Sequence, residues 1–135
     1  AVFDAVDTVL QCLGPLAGLL ATLAPRRERM REAAAGGFTN ATDLADYLVR
    51  KGLPFREAHA VSGRLVRLCL ETGTTLEALP LDTLRQHSPL FGEDVYEAIS
   101  LDTCVAGRNL PGGPAPGAVA IQVARGRAFL DSLAD

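Results

Sequence analysis

Strand signals are scarce in this chain. No alternating β-branched run of useful length occurs, and no Asn-Gly hairpin dipeptide is present. Sheet-based folds are thereby excluded, and the segments of helical period left between Gly and Pro terminators predict an all-α fold. An excess of positive charge is missing too: the net charge is −3, which argues against a surface built for nucleic-acid phosphates. Arg26, Arg27, Arg29 and Arg31 cluster, but Glu28 and Glu32 interleave at helical distances, the pattern of a solvated helix face. Cysteine is sparse. Cys12, Cys69 and Cys104 have no short mutual spacing, and no Cys-x-x-Cys or paired His offers metal-ligand geometry. A disulfide framework and a metal site are therefore not expected, and the three thiols read as buried structural residues of a reducing compartment. A basic leader is also lacking, since Asp4 and Asp7 stand where a signal peptide would carry Lys or Arg. The glycine-containing run Asn109-Leu-Pro-Gly-Gly-Pro-Ala-Pro116 has no Lys followed by Ser or Thr and follows no strand, so it reads as a rigid connector instead of a phosphate loop.

What the chain does have is a long apolar opening segment. Val2, Val6, Val9, Leu13, Leu16, Leu20 and Leu23 recur at alternating spacings of four and three, a heptad-like seam on a helix running to about Leu23. Phe3, Leu10 and Ala17 widen that surface beyond what one neighbour can cover, which predicts a bundle helix that associates through this seam. The stretch Thr8 to Pro25 carries no charge, yet Gln11 and Gly14-Pro15 interrupt it and the heptad pattern explains it better than a membrane span. Pro15 removes a backbone hydrogen bond and favours a kink there. Pro25 opens a short charged helix to about Ala34, and the Gly36-Gly37 pair marks the boundary between a domain of residues 1–36 and one of residues 37–135.

The second domain is organised around a corner. Thr39 or Asn40 offers a side-chain oxygen for the first free N–H groups, and Asp43 places negative charge at the positive end of the helix dipole. A helix from about Ala41 follows, with Leu44, Tyr47 and Leu48 on one face, Arg50 and Lys51 in the last turn, and Gly52 as terminator. Pro54 is predicted at the first position of the next helix. That helix runs to Glu71, with Ala58, Val61, Leu65, Leu68 and Cys69 inward and Gly73 ending it. His59 reads as a hydrogen-bonded structural histidine, and His87 as a C-terminal cap of a short helix from Leu81. Shorter helices are predicted over residues 93–99 and 103–107, and a terminal helix over residues 115–133 with Val119, Val123, Leu130 and Leu133 buried.

The run Ala41-Thr-Asp-Leu-Ala-Asp-Tyr-Leu-Val-Arg-Lys-Gly-Leu-Pro-Phe-Arg-Glu-Ala-His59 resembles the C-terminal domain of the argininosuccinate lyase and delta-crystallin family. The resemblance extends to Ala1-Val-Phe-Asp-Ala-Val-Asp-Thr8, similar to the start of a late helix in the family's central domain, to Ser88-Pro-Leu-Phe91, and to Gly112-Gly-Pro-Ala-Pro116, similar to the family's Gly-Gly-Thr-Ala-Pro. Pro114 stands where the family has Thr, and Cys104 where Ser is usual; the first removes a capping hydroxyl.

The resemblance implies that residues 1–36 are the last helix of a central bundle plus a connecting helix, and that residues 37–135 are the C-terminal domain. It further implies a cytoplasmic homotetrameric parent that needs no metal or organic cofactor and reversibly splits argininosuccinate into arginine and fumarate. Such an elimination needs a base, donors for developing negative charge and an acid for the leaving nitrogen. The family carries these in earlier segments, including a mobile Ser-Ser-x-Met-Pro-x-Lys-x-Asn loop, and its substrate-binding segment resembles Tyr-x-x-Asp-x-Gln-x-Asp-Lys-Glu. Neither run occurs in this sequence, so the expectation is a C-terminal fragment with no catalytic, substrate-binding, cofactor-binding or metal-binding residue of its own, and no nucleic-acid or membrane partner. The alternatives are a fragment of an inactive delta-crystallin-like paralogue and a stand-alone helical interaction module.

Overall fold

The computed structural model describes residues 1–133; the last two positions of the second expected domain lie outside the described residues. No strand occurs among the described residues, and the fold is all-α. Two compact units are present, Ala1–Glu32 and a second that begins at Ala33.

The first unit holds α1 (Val2–Ala21) and most of α2 (Arg27–Ala35). The helix α1 continues through Pro15 and ends two residues before the expected Leu23, where the Thr22 hydroxyl donates to the Gly18 carbonyl at 3.1 Å. None of its residues is buried. Leu13 is 52% exposed and Leu20 60% exposed, so the seam is an uncovered apolar surface. By length and composition alone α1 is long and apolar enough to cross a membrane. Cys12 is exposed on it, which corrects the expectation of three buried thiols; only Cys69 and Cys104 are buried.

The second unit is built on α3 (Ala41–Arg50) and α4 (Phe55–Thr72), followed by a 3-10 turn (Leu76–Ala78) and the short helices α5 (Leu81–His87), α6 (Val95–Ala98) and α7 (Leu101–Ala106). The sequence pattern did not reveal the 3-10 turn, yet it buries Leu76 completely. Leu44, Leu48, Leu65, Leu84, Val95 and Ile99 have no exposed surface and meet in one core with Phe91 and Tyr47. At roughly 1.5–3 kcal/mol for each fully buried large side chain, this cluster stabilises helices too short to persist alone.

The α3–α4 corner follows from three adjacent residues. Gly52 adopts φ 98°, its N–H donating to Val49 O at 2.9 Å while Leu53 N donates to Leu48 O at 3.0 Å. This paired closure satisfies the last carbonyls of α3. Pro54 is the residue before α4 rather than its first: its φ of −56° and ψ of 139° are extended, and its carbonyl accepts from Ala58 N at 2.9 Å. Gly73, at φ 65°, ends α4.

The terminal helix α8 (Pro116–Ser132) departs from expectation. Val119, Val123, Leu130 and Leu133 are exposed, and only Ala118 within the helix and Ala115 just before it are buried. Apolar residues lie all around α8 instead of in one stripe, so no single face was available for the core to claim.

Candidate functional site

Three polar nodes at α3 and the residues flanking it tie distant parts of the second unit together. Asn40 precedes α3, but its side chain does not cap the helix. Its amide instead donates to Glu77 Oε1 at 2.7 Å and to Ile99 O at 3.0 Å. Thr39 also turns away, donating to Ala34 O at 3.0 Å. The expected cap is therefore corrected: a buried carbonyl and a carboxylate compete for the amide more strongly than exposed N–H groups that water can serve. At the first residue of α3, the Ala41 carbonyl accepts from the Ser62 hydroxyl of α4 at 2.7 Å.

The second node surrounds Tyr47. Its ring is stacked on Phe91 with centroids 5.9 Å apart, and its hydroxyl donates to Asp94 Oδ1 at 2.7 Å while accepting from Gly92 N at 3.0 Å. Lys51 pairs with Asp94 Oδ2 at 2.9 Å and lies 5.1 Å from the Tyr47 ring centroid. The hydrogen bond from Lys51, and then that from Tyr47, holds the Asp94 carboxyl below its ordinary range. Reciprocally, the hydrogen bond to Asp94, followed by that with Tyr47, raises the Lys51 ammonium.

In the third node Arg108 donates through Nη1 to Asp43 Oδ1 at 3.1 Å and through Nη2 to Asp43 Oδ2 at 2.9 Å. The same guanidinium also donates to the carbonyl of Cys104. Burial, and then the proximity of Asp43, pushes the Cys104 thiol up to about 11, so it remains protonated and unreactive near neutral pH. Beside this pair lies a groove of about 360 Å³, lined in part by Asp46, Arg50 and Thr103. Asp43 and Arg108 are spent on each other, which leaves this groove a structural joint and not an acid–base pair.

The two histidines are separated. His59 is exposed on α4, its ring centroid 6.1 Å from that of Phe55. Among the described residues its contact is aromatic and not the expected hydrogen bond, because its side of α4 faces away from the core. His87 is half-buried at the end of α5 beside Ser88 and Pro89, and neither histidine forms an ion pair with a carboxylate among the described residues. Among the described residues no group of three or more His, Cys, Asp or Glu side chains converges to hold a metal. Sequence reasoning missed Asn40, Asp94 and Arg108 as connecting residues; the polar types were visible, but their partners are far along the chain.

Residues 38–106 match the family model described as argininosuccinate lyase C-terminal. This chain is 61% identical to the argininosuccinate lyase of Pelotomaculum thermopropionicum over 127 residues, which cover 94% of this chain and 28% of that protein. It is 50% identical to the argininosuccinate lyase of Acetivibrio thermocellus over 132 residues, covering 98% of this chain and 29% of that one. Among solved structures, an EDDS lyase variant with bound fumarate superimposes with a TM-score of 0.76 at 31% identity, covering 85% of this chain and 25% of that one. The chain thus spans less than a third of the length of the relatives it matches. By its family-model match, and by identity across nearly its whole length, the chain belongs to the argininosuccinate lyase family, in the region of that family's C-terminal domain.

Proposed function

We propose that this chain is the C-terminal part of an argininosuccinate lyase, whose whole enzyme reversibly cleaves argininosuccinate to arginine and fumarate in arginine biosynthesis in the cytoplasm. The observation that carries this reading is the high identity to argininosuccinate lyases across nearly the entire chain. Within that enzyme these residues build and assemble; the base, the donors for negative charge and the acid belong to other segments, and no cofactor or metal is required of this region. The nodes at Tyr47, Asn40 and Arg108 support a structural role, because their polar groups satisfy one another and leave none directed at a substrate.

Assembly is assigned to α1. The seam of Val2, Val6, Val9, Leu13, Leu16, Leu20 and Leu23 is uncovered; its helical part, Val2 to Leu20, extends over about 27 Å at roughly 1.5 Å per residue, and Leu23 lies just past the helix end. Burying one such side chain is worth roughly 1.5–3 kcal/mol, so partial coverage by other helices drives self-association, in the whole enzyme as a homotetramer. Other helices are preferred to lipid as the cover, because the seam keeps heptad spacing and Asp4 and Asp7 lie within the helix.

Two measurements test the reading. With argininosuccinate as substrate, ultraviolet absorbance of fumarate should show no turnover by the purified 135-residue chain; sustained turnover would defeat it. Light-scattering mass should exceed that of a monomer, and Leu13→Asp with Leu20→Asp should restore a monomer whose second unit stays helical. A strictly monomeric chain at high concentration, or partition of α1 into phosphatidylcholine vesicles in place of self-association, would overturn the assembly assignment.

A further inference from the structure

The attachment of α8 to the second unit is narrow. Beyond Ala118 every described residue of the helix is exposed, so its own side chains contribute little to fixing its direction. Direction comes instead from the loop that precedes it. Gly112 takes φ 83°, and a Cβ on Gly113 would run into the carbonyls of Arg108 and Leu110. The Gly113 N–H donates to Leu110 O at 2.8 Å, closing a tight bracket. Pro114 and Pro116 then link the bracket to α8 with restricted backbone dihedrals. A tilt of the bracket is therefore passed to the whole helix.

The bracket is anchored at its first residue. Arg108 reaches across to α3 and grips both carboxylate oxygens of Asp43, at 2.9 and 3.1 Å, while also holding the Cys104 carbonyl at the end of α7. The two paired residues are 65 positions apart in sequence. The Asp43 side chain is 14% exposed and that of Arg108 43% exposed, so the pair stands at the surface, where ions can screen it. Alongside, between Leu110–Pro111 and the Ala118–Arg125 side of α8, lies an unfilled groove of about 230 Å³. Space for motion of the helix is present where the clamp would release it.

We propose that the Asp43–Arg108 ion pair is a conformational clamp that sets the direction of α8, and that opening it lets α8 pivot as a rigid arm on the 107–116 connector while the α3–α4 core stays folded. The exposed apolar residues of α8 then change orientation together, without the helix melting.

The test uses the full chain with Cys12→Ser and nitroxide labels at Arg67→Cys on α4 and Asp131→Cys on α8, the remaining thiols being buried. With the clamp intact the interlabel distance distribution should be single and narrow. Asp43→Asn and Arg108→Ala should each broaden it at least twofold, and molar sodium chloride should broaden the parent but not the variants. Hydrogen exchange supplies the second readout: α3 and α4 amides should keep their protection in both variants. An unchanged distance distribution in both variants would overturn the proposal. So would a uniform loss of protection through α3, α4 and α8, which would make the pair a general stabiliser and not a clamp on one helix.

Discussion

The hydroxyl of Tyr47 donates to Asp94 Oδ1 at 2.7 Å and accepts from Gly92 N at 3.0 Å, so one side chain of α3 serves both ends of the turn that leads into α6. Tyr47 is 3% exposed, and its ring stacks on Phe91 immediately before that turn. Packing and polar satisfaction thus depend on the same residue.

Replacing Tyr47 with Phe keeps the stack and deletes both hydrogen bonds. The Gly92 N–H loses its partner, and a buried or half-buried donor left unpaired costs about 1–3 kcal/mol. Gly92→Ala should act on the same node by another route, because the added Cβ would lie 2.5 Å from Asp94 Oδ1 and force that carboxylate aside. Urea unfolding should show each variant destabilised by about 1–3 kcal/mol, with the double variant less than additive because the two changes disrupt one node.

The Lys51–Asp94 pair predicts a pH signature. Asp94 has a depressed folded value, so its contribution is present above the ordinary 3.8 and lost as pH falls toward the folded value. Lys51 has a raised folded value, so its contribution is complete below 10.5 and lost as pH rises through the folded value. The difference in Tm between the parent and Lys51→Met should be level through neutral pH. It should shrink below pH 3.8 and above pH 10.5. Since the pair is well exposed, the difference should also diminish with salt.

Asn40 offers a direct contrast between capping and tertiary bonding. Asp is as good an N-cap residue as Asn, so if capping were the role, Asn40→Asp would be neutral. In this fold the substitution removes both donors and sets a carboxylate beside Glu77 and the Ile99 carbonyl. Thermal and urea unfolding should therefore show a loss of about 2 kcal/mol or more. Asn40→Asp combined with Glu77→Gln should recover part of it by returning a donor to the site.

Thiol chemistry should separate the three cysteines. Cys12 is exposed, whereas Cys69 and Cys104 are buried and burial raises both thiols. Under native conditions at pH 8 one thiol should react rapidly with iodoacetamide, and mass mapping should place it at Cys12. The other two should react only as the second unit unfolds.

Local chemistry made the helices legible. The periodic apolar positions of α3 and α4, the left-handed glycines at 52 and 73 and the restricted φ of Pro54 act over a few residues, so sequence alone determined an all-α chain, its corner and most of its inward face. The destination of a polar side chain is a different matter. Asn40 reaches partners 37 and 59 residues away, Tyr47 one at 47 and Arg108 one at 65, and no local spacing encodes those choices. The exposure of α8 was hidden for a related reason: Val119, Val123, Leu130 and Leu133 could be read as one face, but apolar residues lie all around this helix, burial requires a surface to meet, and only the tertiary structure decided that the core closes at Ala118. The tertiary fold also turned Asn40 from a cap into a tie, because a buried carbonyl without a donor costs more than a helix terminus that water can reach.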